Sequence, residues 1–176
     1  MSHPQKVKPV LFFIALTSRD LSLKKALLKG LENTLGIVVL EGPVYEFSKF
    51  TSYYEEEMGT PLFKTLLFFE ILKDPEELVE LKHLCYEMEK EHSQDGKRLV
   101  NLDPGYLTLS KVILSTFKDY AHRVYLGRSV FAEVEYIFKE GSFRPMPWTY
   151  PDYQDPLIIS TFNQAREIYK RKLRCL

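Results

Sequence analysis

The stretch Asn101-Leu-Asp-Pro-Gly-Tyr-Leu-Thr108, followed by Lys118-Asp119 and His122-Arg123, gathers acids, bases and turn residues more densely than a scaffold requires. Asp103-Pro104-Gly105 reads as an Asx-type turn at the end of a strand. With Thr108 capping a helix after it, the free N–H groups of that helix start face the same crevice and can hold an anion. Asn101, Tyr106 and Thr108 are then candidate binding residues. Lys118 and Arg123 add fixed positive charge. His122 is the natural carrier of a proton near neutral pH, and Asp103 is the second candidate for acid/base work. A two-residue loop at Gly127-Arg128 would place His122 opposite Glu133 across a hairpin, whereas a three-residue loop through Ser129 would place Arg123 there; either is a plausible cross-strand charge contact.

Two further blocks stand out. Tyr53-Tyr54-Glu55-Glu56-Glu57-Met58-Gly59 joins two aromatics to three successive acids, which in isolation is most simply a solvated turn. Trp148-Thr-Tyr150-Pro-Asp152-Tyr153, stiffened by Pro147 and Pro151, suits a lid or a stacking wall as well as plain packing over a sheet. His83, His92 and His122 share no ligand spacing and the two cysteines stand alone, so the pattern argues against zinc. Glycine-loop nucleotide motifs and nucleophile elbows are absent, and no particular cofactor is implied.

The elements that would position these residues follow from periodicity. Residues 10–16 form a continuous apolar run suited to a central strand, and leucines and Ala26 recur at helical spacing from 21 to 35. Extended segments at 37–40 and 44–50 are broken at Gly42-Pro43. A strongly apolar strand spans 62–72, and Asp74-Pro75-Glu76-Glu77 opens a helix that Asp95-Gly96 ends. Another strand covers 98–103. Strand, helix, strand, strand, helix, strand is the order of a split βαβ, ferredoxin-like core. Residues 109–117 fit a helix, although their β-branched content tolerates a strand. A meander over 122–126, 130–138 and 143–146 extends the sheet, and an amphipathic helix over 156–173 closes the chain. The fold expected is therefore α+β, in a single domain spanning residues 1–176.

Composition limits the function classes. An apolar fraction of 45% with 14% aromatics excludes general disorder. Twenty-four basic side chains match 24 acidic ones, which argues against an electrostatic grip on nucleic acid or anionic lipid. The apolar run at 10–16 is too short for a membrane span, and two cysteines are too few for a disulfide framework, so a reduced, cytoplasmic setting fits best. Cys85 and Cys175 are expected as unpaired thiols.

In the same order along the chain, Tyr53-Tyr54-Glu55 with Glu57-Met58-Gly59, residues 101–108, Lys118-Asp119 with His122-Arg123, Tyr125-Leu-Gly127, and residues 148–153 resemble the motifs of a bacterial domain of unknown function, family 4416. The resemblance covers nearly the whole chain and carries no assigned activity. It implies that the separate blocks belong to one pattern, which makes Tyr53, Tyr54, Glu55, Glu57 and Asp152 candidate rim residues. One departure is His83-Leu-Cys85, where similar proteins lead one to expect a small polar pair such as Thr-Asn.

These observations lead to a domain that binds an anionic small molecule, a phosphorylated metabolite or a nucleotide, with acid/base catalysis open to it. Asp103 would orient the ligand, Lys118 and Arg123 would balance its charge, His122 would move a proton, and Trp148 or Tyr150 would cover it. All are expected at one cleft. The alternatives are a non-enzymatic protein- or RNA-binding module, since RNA can be read by stacking with little net charge, and an oligomeric scaffold joined through a sheet edge.

Overall fold

The computed structural model describes residues 3–175. Strand β1 (Val10–Ser18) is buried along its whole length. Its side chains alternate, Phe12, Ile14 and Leu16 entering one core and Leu11, Phe13 and Ala15 the other, as a strand covered on both faces requires. The chain continues through α1 (Lys24–Leu35), β2 (Val38–Glu41), β3 (Tyr45–Glu46), the single turn α2 (Glu55–Met58), β4 (Phe63–Lys73) and α3 (Leu78–Glu91). Helix α3 stops at Glu91, earlier than the sequence suggests. Asp95 and Gly96, both at positive φ, instead turn a small hairpin of β5 (Ser93–Gln94) and β6 (Lys97–Arg98).

After it come β7 (Val100–Leu107), β8 (Lys111–Thr116), β9 (Val124–Gly127), β10 (Val130–Lys139), β11 (Ser142–Pro145) and the long helix α4 (Pro156–Leu173). Among the described residues these strands build a nine-stranded antiparallel sheet in the order β11-β10-β8-β7-β1-β4-β2, with β3 beside β4 and β9 beside β10. Strand β1 is paired with β4 on one side and β7 on the other. Leu27 and Leu31 of α1 pack with Leu81 and Cys85 of α3 on one face, and Ile158, Phe162 and Ala165 of α4 pack on the other. The chain is α+β.

Two expectations are corrected here. Residues 109–117 are not a helix: β8 runs between β7 and β10, with Val112 and Leu114 in one core and Ile113 in the other. A short run buried on both faces has no helical stripe to distinguish it. Asp103-Pro104-Gly105 is not a turn either; it lies inside β7, where Ala15 pairs with Asp103 and Ile14 with Pro104.

Pro104 matters in a different way. It has no N–H to donate, and the ladder between β7 and β8 covers only Gly105–Leu107, so the strands separate on its N-terminal side. The Pro104 carbonyl accepts instead from the Ser115 hydroxyl at 2.7 Å. Where the ladder does form, Gly105 lets the backbones approach: a Cβ there would lie 2.3 Å from the Ile113 carbonyl oxygen and 2.5 Å from the Phe13 ring. Gly105→Ala is expected to cost about 2–3 kcal/mol through overpacking, read as a lower denaturant midpoint at unchanged slope.

Candidate functional site

The separation of β7 from β8 leaves the Leu102 backbone without a strand partner on that side, and α3 supplies one. Glu89 Oε1 accepts from the Leu102 N–H at 2.6 Å, and Lys82 Nζ donates to the Leu102 carbonyl at 3.3 Å. Lys82 then reaches through the gap to Asp103 Oδ1 at 3.1 Å, while Asn101 Nδ2 donates to Asp103 Oδ2 at 2.6 Å. The missing ladder thus becomes a polar cleft. It widens into a cavity of about 730 Å³ whose wall includes Lys64, Arg98, Tyr54, Phe117, Lys118 and Tyr150.

Charge in this wall is organised in pairs. Lys64 and Asp152 meet at 2.7 Å with both side chains buried, and Asp152 also accepts from the Tyr45 hydroxyl at 2.7 Å. The guanidinium of Arg98 grips Glu57 through two hydrogen bonds of 2.6 and 2.7 Å and extends to Glu89 and Asn101. Such bidentate geometry fixes both planes. Burial alone would push the Asp103 carboxyl up, but Lys82, Lys64 and the Asn101 amide overcome it and hold Asp103 below the usual carboxylate range. For Lys82, burial pulls the ammonium down and the Asp103 and Glu89 carboxylates more than reverse it. Glu89 is raised, chiefly by burial. Asp103 is accordingly a charged acceptor at neutral pH.

Lys118 differs from Lys64, Lys82 and Arg98. Its ammonium lies 3.9 Å from the centre of the Tyr53 ring, and no carboxylate pairs with it among the described residues. Tyr53 and Tyr54 meet edge to face at 4.9 Å beside it.

The remaining candidates lie elsewhere. His122, Trp148 and Tyr106 line a second, mainly apolar cavity of about 590 Å³ bounded by Val79, Ile113 and Val134. Trp148 stacks on His122 at 5.3 Å with planes 15° apart, and its indole N–H donates to the Val134 carbonyl. Glu133 joins the two regions. Its buried carboxylate accepts from His122 Nε2 at 2.6 Å and from Arg123 at 3.0 Å, and Arg123 also donates to the Tyr150 hydroxyl at 3.0 Å. Beyond a bulge near the turn, Phe131 faces Tyr125 and Ala132 faces Val124, the register that brings Arg123 toward Glu133. The turn itself is Arg128-Ser129, both at positive φ, rather than Gly127-Arg128.

Of the residues singled out from sequence, Asn101, Asp103, Lys118, Tyr53, Tyr54, Glu57, Tyr150 and Asp152 line the polar cavity. Asp152, expected at a rim, is buried. Asp103 and His122 line separate cavities, and Arg123 stands in the wall between them. Thr108 caps no helix: its hydroxyl accepts from the N–H groups of Ser110 and Lys111 in the turn between β7 and β8, so the anion site expected at a helix start does not form. Glu55 sits in α2 outside either cavity lining. His83 bonds the Arg128 carbonyl and Cys85 is core, so neither member of that departing pair lines the polar cavity. Both cysteines are free.

Sequence reasoning passed over Lys64, Lys82, Glu89 and Arg98. A signal was present for the α3 pair, because Lys82, Cys85 and Glu89 fall at i, i+3 and i+7 along the buried stripe; charge in such a stripe needs buried partners.

An α+β chain whose splayed sheet opens a charged cavity is what the geometry defines. The chain belongs to the family described as a domain of unknown function (DUF4416), whose profile matches residues 8–169. No match is found among curated proteins or solved structures. No helix among the described residues is long and apolar enough to cross a membrane.

Proposed function

We propose that this chain binds a small anionic molecule, a phosphorylated metabolite or a nucleotide, in the cavity opened by the separation of β7 and β8. The carrying observation is Lys118, a cation at the cavity wall held against an aromatic ring rather than against a carboxylate. Such an ammonium keeps its donors for a ligand. Around it, paired buried charges hold the wall in one arrangement, as a preorganised site requires. Concentrations of perturbed, desolvated titratable groups in a cleft are typical of functional sites.

The strand order β7-β1-β4-β2, antiparallel throughout, supports reading this part of the sheet with α1 and α3 as a ferredoxin-like core. Free thiols at Cys85 and Cys175 favour a cytoplasmic setting over an oxidising one. Proton transfer on one substrate by His122 together with Asp103 is not part of the proposal, since they line separate cavities. A second reading, a protein-binding module, rests on exposed Val124, Tyr125 and Leu126 along β9.

Native mass spectrometry of freshly purified protein tests the first reading. An anionic compound is expected to be retained, and Lys118→Met is expected to lose it while melting at the midpoint of the parent stripped of ligand. Retention by the variant equal to that of the parent would remove Lys118 as the anion's partner. If the parent retains nothing and no phosphate-bearing compound raises its midpoint, the reading fails.

A further inference from the structure

We propose that the polar cavity takes a nucleoside phosphate, with the phosphate on Lys118, the base against the aromatic wall, and a ribose or base donor on Asp103. This rests on the reading that the cavity holds a small anionic molecule, and it selects one class within it.

Asp103 supplies the first argument. An ionised carboxylate has about four acceptor positions, and the contacts of Asp103 are one from Lys82 and one from Asn101. A quarter of its side-chain surface, 25%, stays exposed while its partner Lys82 is 7% exposed, and Asp103 lines the cavity. An acceptor-only anion fixed in this way repels phosphate and welcomes O–H or N–H. The ligand therefore carries its negative charge at one end and hydrogen-bond donors at another.

The aromatic wall supplies the second. Phe50, Tyr54, Tyr86, Phe117, Tyr120 and Tyr150 all line the same cavity, and Tyr86 and Phe117 already meet edge to face at 5.5 Å. A sugar phosphate satisfies Lys118 and Asp103 but leaves these rings uncovered. A nucleobase covers them, and base–aromatic stacking contributes regardless of which base is present. The volume of about 730 Å³ accommodates a ligand of this size rather than a phosphate ion alone.

The test is calorimetric titration of the intact chain with adenosine, guanosine, cytidine and uridine 5′-monophosphates, ribose 5-phosphate and inorganic phosphate. At least one nucleotide is expected to bind about tenfold or more tightly than ribose 5-phosphate, in line with the worth of a stacked base. Asp103→Asn is expected to weaken that nucleotide about tenfold, as loss of a charged hydrogen bond does, while Lys118→Met weakens the nucleotide and ribose 5-phosphate alike. Ribose 5-phosphate binding as tightly as every nucleotide overturns the nucleoside class and leaves the anionic reading standing. No binding by any of the six compounds overturns the nucleoside class, and the anionic reading falls with it only if the purified protein also retains no anion. A folded Asp103→Asn protein with undiminished nucleotide affinity overturns the placement at Asp103; should that variant not fold, the comparison with ribose 5-phosphate and the Lys118→Met titration decide.

Discussion

Asp152→Ala should be among the most destabilising single changes in this chain, costing about 3–5 kcal/mol, the range seen when one member of a buried ion pair is removed. The carboxylate it deletes is 1% exposed and is the salt-bridge partner of Lys64, whose side chain is 7% exposed. Lys64 would remain between the rings of Phe47 and Tyr153, at 4.6 and 4.5 Å from their centres, with attraction from those faces and from Asp103 and Glu135 at longer range but no carboxylate in salt-bridge contact. The Tyr45 hydroxyl would lose its acceptor as well. For a protein of 176 residues, each kcal/mol moves the thermal midpoint by about 2–4 °C, so calorimetry should show a fall of about 10 °C. The double change Lys64→Met with Asp152→Leu should recover much of that loss, because removing both charges leaves nothing to desolvate. A single variant melting within a degree of the parent would mean that the pair is not desolvated in solution.

The parts of this architecture legible in the sequence are those with one dominant signal. Residues 10–16 read as a central strand because an unbroken apolar run of that length is buried on both faces, and α4 read as a helix because Ile158, Phe162, Ala165 and Tyr169 fall on one stripe. Residues 109–117 carried two signals at once. Leu109, Val112, Ile113 and Thr116 match a helical face, and only the presence of β7 and β10 on either side makes the strand the better solution. Local pattern cannot contain that information.

The site was harder to read for a related reason. Pro104-Gly105 in sequence means a turn, whereas here the proline ends a ladder on one edge and the glycine permits close approach on the next pair. The cleft is produced by that interruption, and Lys82 and Glu89 enter it from a helix, 21 and 13 residues before the backbone or side chains they bond. Asp103, Asn101 and Lys118 were visible as chemistry-bearing residues; their partners were not. His122 and Arg123 were alternatives for the place opposite Glu133, and its carboxylate accepts from both, yet the hairpin carries His122 to the other side of the wall from Asp103.

Glu135 gives the second large effect, in the pH dependence of stability. It is the bulged residue of β10, passed over between the pairs Val134 with Ile113 and Tyr136 with Val112, and it is fully buried with neither carboxyl oxygen hydrogen-bonded. Burial, reinforced by the Glu133 and Asp152 carboxylates and only partly opposed by Lys64, pushes its pKa up to about 8 from an ordinary 4.5. Below pH 4.5 the group is protonated in folded and unfolded chains alike and adds no pH dependence. Between 4.5 and about 8 the unfolded chain releases this proton while the folded chain keeps it, so stability falls as pH rises; above 8 both states are ionised and the loss is complete. At about 1.4 kcal/mol per unit, the loss across that window amounts to several kcal/mol. Glu135→Gln removes the titration, and any cost of its own unpaired amide shifts the whole curve without tilting it. Thermal midpoints of parent and variant measured from pH 4.5 to pH 8 should therefore diverge steadily in favour of the variant, by about 10 °C at the upper end for a chain of this size. Two parallel curves would show that Glu135 ionises in the folded protein as easily as in the unfolded one, and that the bulge is open to water.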